Sequence, residues 1–202
     1  MRIVQIGCNN CNDHVFDFIS RNLDSIELFV AVDPMPACIE AARSTYNKLG
    51  SRLITVQCAI SDADGVKPFY CPKNDNMSVV ASLSKSHIVA HHDTGFIERG
   101  EITESWVPCL TINSLLGSFV SFEHGIDRLY IDTEGHDAKI LLNLNLSATK
   151  IGFIEYEQIH ADGAFKTGTQ ARDAELKLRI HGYEVDTHDP MHVRAIKLFT
   201  KF

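Results

Sequence analysis

The sequence predicts an α/β fold, a doubly wound, mostly parallel sheet that ends in a C-terminal antiparallel hairpin. Three observations predict it. Short apolar runs such as Leu28-Phe29-Val30-Ala31-Val32 alternate with stretches of helical period, and all-apolar strands suit a parallel sheet covered on both faces. The runs end in polar turns. The last two, residues 183–187 and 195–200, are joined by a turn at Asp189-Pro190, which sets one strand against the rest.

The 202 residues suffice for one domain, residues 1–202, with a sizeable core. No linker, repeat or low-complexity segment divides it. The 45% hydrophobic content is ordinary, and the formal net charge is −7. Lys and Arg never cluster beyond a pair, which argues against a nucleic-acid surface. No apolar run reaches the roughly 18 residues of a membrane span. The first strand begins by residue 3 and leaves no room for a signal peptide. Six scattered cysteines in such a chain are expected to be reduced, in the cytoplasm.

The chain is organised around its opening. Ile3-Val4-Gln5-Ile6 runs into the turn Gly7-Cys8-Asn9-Asn10-Cys11-Asn12-Asp13, followed by Val15, Phe16, Ile19 and Leu23 on one helical face. Strand, turn and helix form the first unit of a doubly wound sheet, where nucleotides are held. Gly7 allows close backbone approach, and Asp13 is the expected N-cap. Only the first glycine of a G-x-G-x-x-G-like pattern is present. Cys8-x-x-Cys11 has redox or zinc half-site spacing but no second pair.

The second strand ends at Asp33-Pro34, 26 residues after Gly7. An acid near this distance either accepts hydrogen bonds from ribose hydroxyls or caps the next helix. That helix carries Ile39, Ala42, Tyr46 and Leu49 and closes at Gly50. Residues 52–57 read as a third strand. Cys58-Ala59-Ile60-Ser61-Asp62 at its end reads either as an adenine pocket or as a plain exit loop. Phe69 and Tyr70 suggest a short extended piece. Residues 71–106 show no period and are expected to be a lid or substrate-recognition region. Thr111 caps a helix of Ile112, Leu115, Leu116 and Phe119. The strand at residues 128–131 ends in Asp132-Thr133-Glu134-Gly135-His136-Asp137, before a helix of Ala138, Leu141, Leu142 and Leu144. The strand at residues 150–154 ends in Glu155-Tyr156-Glu157-Gln158-Ile159-His160, before a helix of Ala171, Ala174, Leu178 and His181 stopped by Gly182.

Five polar segments thus follow strand ends, and in a parallel sheet those ends share one ligand-binding edge. The acids and histidines among them admit three readings. Asp132, Glu134 and Asp137 are candidate ligands of Mg²⁺ or another hard divalent metal. Asp132, Glu155, His136 and His160 are candidate general bases. The third reading is helix capping alone.

The order of these pieces resembles the FkbM-family methyltransferases, a Rossmann-like class of S-adenosylmethionine-dependent enzymes. The resemblance rests on Ile6-Gly7-Cys8-Asn9, Val32-Asp33-Pro34-Met35-Pro36, Ala59 to Gly65, Val107 to Leu116, and above all Ile131-Asp132-Thr133-Glu134-Gly135-His136-Asp137 followed by Ile154-Glu155. It implies a class I methyltransferase fold and methyl transfer from S-adenosylmethionine to a hydroxyl of a small molecule or sugar. Gln5, Gly7, Cys8 and Asn9 would lie along the methionine part of the cofactor. Asp33 with Pro34 would take the ribose, and Ala59, Ile60 and Ser61 the adenine. Asp132 would stand near the sulfonium, and Glu155 would face the acceptor. Closure of the site would come from residues 71–106 or from a second subunit of a homo-oligomer.

Three positions depart from the family pattern. Gln5 replaces an acid, Cys11 a glycine and Asn113 an acid. A neutral hydrogen bond from Gln5 is worth about 1 kcal/mol less than a charged one. The departures motivate the alternative of a catalytically weak or inactive binding module that keeps the fold.

Overall fold

Continuous apolar runs form the centre of the sheet. In a computed structural model, which describes residues 1–119 and 125–198, β1 (Arg2–Ile6) and β2 (Leu28–Val32) are each buried in four of five positions. They pair in parallel from Arg2↔Leu28 to Ile6↔Val32. β3 (Leu53–Val56) adds to β2 as an edge strand. The chain later returns to place β7 (Ile126–Ile131) on the other side of β1, again parallel, with Ile6 opposite Ile131. β8 (Ile151–Glu157) continues the sheet in parallel.

The sheet has seven strands, in the order β3-β2-β1-β7-β8-β10-β9. β10 (His192–Lys197) lies between β8 and β9 (Tyr183–Asp186), antiparallel to both. The closing hairpin is therefore present, but its second strand begins at His192 rather than Ala195. The end expected for that strand, residues 199 and 200, lies outside the described residues. The order turns around between β1 and β7, which opens a crevice at their carboxyl ends.

Helices cover both faces. α1 (His14–Arg21) and α2 (Pro36–Thr45) enclose a core of Ile3, Val15, Ile19, Phe29 and Tyr46. α4 (Ile112–Phe119), α5 (Asp137–Asn143) and α6 (Thr169–Ile180) enclose the larger one, with Val4, Leu115, Leu129, Ile140, Ile154 and Leu178. Their starts and stops follow local chemistry. Asp13 caps α1 by accepting the Phe16 N–H at 2.9 Å. Thr111 Oγ1 accepts the Ser114 N–H at 3.1 Å at the head of α4. Lys177 of α6 donates to the carbonyls of Leu141, Leu142 and Leu144, at 3.0, 2.7 and 2.6 Å, and caps the end of α5.

Three expectations are corrected. α2 stops at Thr45; a 3₁₀ segment, Asn47–Arg52, follows, and Gly50 at φ +56° breaks it. Ala59, Ile60 and Ser61 are not the tail of β3 but a separate strand, β4 (Ala59–Ser61), in a second sheet of order β4-β6-β5. Residues 71–106 are not structureless. They hold the end of β5 (Gly65–Pro72), the helix α3 (Lys85–Thr94) and the first half of β6 (Ile102–Thr111). β5 and β6 pair over their whole length, from Gly65↔Cys109 to Pro72↔Ile102.

Candidate active site

The first turn is woven between two strands. The N–H groups of Gly7 and Cys8 both donate to Val32 O, at 2.9 and 3.2 Å, and Asp132 N–H donates to Ile6 O at 2.9 Å. Gly7 has φ +78°, and a Cβ there would fall 1.6 Å from the carbonyl oxygen of Asp132. Glycine is thus required first by the neighbouring strand exit, and only then by any ligand. Cys11, at φ +58°, occupies a left-handed conformation that glycine favours.

Over this crossing lies a cleft with a cavity volume of about 120 Å³, or about 680 Å³ with its open mouth included. Its floor is Ile6, Gly7 and Asn9, and one side is Val32 to Met35. The opposite side is apolar, with Cys58, Ala59, Ile60 and Phe69. Residues from Ser78 to Leu83 roof it. Asn9 reaches across to this roof, its Nδ2 3.3 Å from the carbonyls of Met77 and Ser78. Asp132, Thr133, Glu134 and His136 line the remaining wall.

Asp33 is the polar anchor. It is 4% exposed, and its oxygens accept the N–H of Asn9 at 3.0 Å and of Met35 at 2.9 Å. Burial pushes its carboxyl up to about 6, although both backbone donors act to lower it. A carboxylate has about four acceptor positions; the Cys38 thiol takes a third, so one remains for a ligand. Asp132 is open to the cleft. Protein surrounds the opening on nearly every side and, with the charge of Asp13 nearby, pushes its carboxyl up to about 6. Burial lowers His136 to about 4, which leaves it neutral at pH 7 and a weak base. Its Nδ1 is buried with no hydrogen-bond partner.

Of the residues singled out in the sequence, Gly7, Asn9, Asp33, Pro34, Ala59, Ile60, Asp132, Glu134 and His136 meet at this one cleft. The others lie elsewhere. Gln5 is 3% exposed and donates from Nε2 to Asp13 Oδ2 at 2.7 Å, behind the turn. Cys8 is fully buried in the core on the α1 side, where the bond with Cys11 and burial hold its thiol protonated. Ser61 Oγ faces Asp62 and Lys67. The oxygens of Asp137 accept Thr133 N–H at 2.9 Å and Glu157 N–H at 3.0 Å, and Thr133 Oγ1 adds a third bond. Asp137 therefore joins the ends of β7 and β8, and the structure does not gather Asp132, Glu134 and Asp137 around a common ion position. Glu155 is held by His14 and by Arg194 Nε, the latter at 2.6 Å. His160 packs against His87, His91 and Phe165.

The sequence did not single out Met35, Phe69 or Thr133 as site residues, whereas Cys58 stood in the adenine-pocket reading and the roof lies in the stretch expected to be a lid or recognition region. The roof residues come from a stretch without period; contacts distant in sequence locate them, from Asn9, from Tyr70 to the Ser82 backbone, and from Ser82 Oγ to Glu134 O at 2.8 Å. The three departures have structural partners away from the cleft. Asn113 Nδ2 donates to Asn143 O at 2.7 Å, and its Oδ1 accepts Asn145 N–H at 2.9 Å. Gln5 serves Asp13, and Cys11 packs in the core. The binding-only alternative draws no support from these positions.

The family description "Methyltransferase FkbM domain" matches residues 5–185. No curated protein matches the sequence. Among solved structures, the chain is similar to methyltransferase FkbM from Methylobacillus flagellatus KT, with a TM-score of 0.56 and 10% identity. The match covers 96% of this chain and 43% of that one, so the chain spans less than half the length of that structure. It is also similar to the fibrillarin pre-rRNA processing protein of Methanococcus jannaschii, with a TM-score of 0.47, 10% identity and coverage of 96% and 65%. A third similar structure is the SAH-bound methyltransferase PaMTH1 of Podospora anserina, with a TM-score of 0.44, 13% identity and coverage of 98% and 72%. The family match runs from within β1 into β9 and takes in every loop around the cleft: the chain belongs to the FkbM methyltransferase family.

Proposed function

We propose that the chain uses S-adenosylmethionine to methylate a hydroxyl of a small molecule, sugars included. The observation that carries this reading is the buried Asp33 carboxylate, with an acceptor position to spare, in one cleft with the apolar Cys58, Ala59, Ile60 and Phe69. A nucleoside has that pattern, a diol at one end and a flat apolar ring at the other. The first turn is placed for the amino-acid part, and Asp132 for the positively charged sulfur. Bound there, S-adenosylmethionine supplies a methyl carbon activated by its sulfonium.

The protein's tasks are then alignment and proton removal. Asp132, with its carboxyl raised to about 6, is the stronger base in the cleft lining for a hydroxyl proton, and His136, lowered to about 4, the weaker. Glu155 is committed to His14 and Arg194, so its role under this reading is to hold that edge of the sheet rather than to act as the base.

Calorimetric titration with S-adenosylhomocysteine tests the reading. Asp33→Ala weakens binding at least tenfold, and Asp33→Asn, which keeps an acceptor, weakens it less. No heat of binding at millimolar ligand with the folded wild-type protein overturns it.

A further inference from the structure

Behind the Glu134 wall of the cleft, three histidines and two glutamates converge in the interior. His87 and His91 lie one turn apart on α3 and are 1% and 3% exposed; His160, after β8, is 5% exposed. One nitrogen from each lies within 4.8 Å of the other two. His87 Nε2 is 3.1 Å from His91 Nε2 and 2.7 Å from Glu134 Oε2. Two ligands on one tetrahedral zinc ion stand about 3.3 Å apart, given bonds of 2.0–2.1 Å. Glu134, Glu157 and His160 form a second set within the same limit.

Unmet hydrogen bonding among these donors points to a cation site. Glu157 is 6% exposed, and its Oε2 has no partner. Nδ1 of His87 and Nδ1 of His91 are also buried without partners. Among the described residues, the ion-pair partners of Glu134 and Glu157 are these histidines alone, with no Lys or Arg. Buried polar atoms left without partners are costly, and a cation bound among them meets part of that need. Gly135, at φ +104°, passes so close that an added Cβ would sit 3.3 Å from His87 Nδ1.

We propose that His87, His91 and His160 hold a divalent first-row transition metal ion of the Zn²⁺ kind, with Glu134 and Glu157 supplying carboxylate oxygens beside it. Imidazole nitrogen with carboxylate oxygen is the donor set such ions take. The Phe165 N–H now donates to His160 Nδ1 at 2.9 Å. Metal binding releases that bond, whichever ring nitrogen becomes the ligand. The inference does not rest on the methyl-transfer reading.

The test uses the whole chain, stripped with a chelator and titrated with Co²⁺ alone, then Zn²⁺. The expected result is a visible Co²⁺ absorption that saturates near one equivalent and is abolished by Zn²⁺. At a hundredfold excess over its Kd, Zn²⁺ raises Tm by about 5–10 °C. His87→Ala with His91→Ala abolishes both signals, and His91→Gln alone weakens binding at least tenfold should the double variant fail to fold. A second group, His14, Glu155 and His192 at the surface, could also bind a metal, so His14→Ala is the control and leaves both signals intact. Absence of both signals in the folded wild type overturns the proposal. So does a signal lost with His14→Ala but kept in a folded His87 or His91 variant.

Discussion

At the scale of single residues, the site depends on one atom that is absent. Gly7 lets the first turn cross Asp132, where a Cβ would overlap the carbonyl oxygen at 1.6 Å. The clash is with backbone at the centre of the sheet, so neither partner can swing away. Gly7→Ala therefore costs about 3 kcal/mol or more, combining backbone strain with displaced strands. Urea unfolding reads this directly, and a loss under 1 kcal/mol would show that the crossing is not as drawn. Asp33 sets the second residue-scale expectation. Burial places its carboxyl near 6, and only the ionised form keeps both oxygens as acceptors. Under the proposed reading, affinity for S-adenosylhomocysteine is constant above pH 7 and falls through pH 6, about tenfold lower by pH 5. Asp33→Asn flattens that dependence. An Asp33→Asn variant that keeps the wild-type slope would assign the titration to another group.

At the scale of elements, the parts legible in the sequence are those where an apolar run gives way abruptly to polar residues. β1, β2, β7 and β8 could be read because both of their faces are buried, and the loops after them had to carry the chemistry. β5 and β6 could not. They expose Val66 and Trp106, contain Pro68 and Pro108, and bury few positions, so no strand period survives. α3 was hidden for a different reason. Its buried face is His87, Ile88 and His91, and two histidines in a core face do not register as apolar period. The same substitution of polar for apolar residues hid both the helix and the candidate metal cluster. Side-chain direction is a further thing the sequence withheld. Gln5 and Gly7 are two positions apart, yet one serves the cap of α1 and the other the cleft. Contacts between helices show the same limit. Lys177 is a plain lysine on α6 until the fold brings it to three carbonyls at the end of α5. Lys177→Met keeps the stem but removes the cap, and costs about 1–2 kcal/mol in denaturant unfolding. A neutral result would mean that water replaces the ammonium at no cost.

At the scale of the whole molecule, the cleft is lined by residues from both sheets. Its floor and acidic side come from the ends of β1, β2 and β7, and its apolar wall from β4 and β5. The roof touches the floor through Asn9, whose two contacts at 3.3 Å are long for hydrogen bonds. A nucleoside-sized ligand filling this space would contact both sheets and the roof at once. Binding then stabilises the assembly by mass action, about 2.7 kcal/mol at a hundredfold excess over Kd, or about 5–10 °C in Tm for a domain of this size. The gain is not spread evenly, because local opening is suppressed where the ligand makes contact. Amide exchange on adding S-adenosylhomocysteine should therefore slow together in residues 77–83 and 132–136, which belong to different layers. β9 and β10, at the far edge of the large sheet, should exchange as before. Slowing confined to one of the two cleft segments would mean that the ligand sits on one layer only. Slowing at β9 and β10 without the roof would place it away from Asp33 altogether, and the nucleoside reading of the cleft would fail with it.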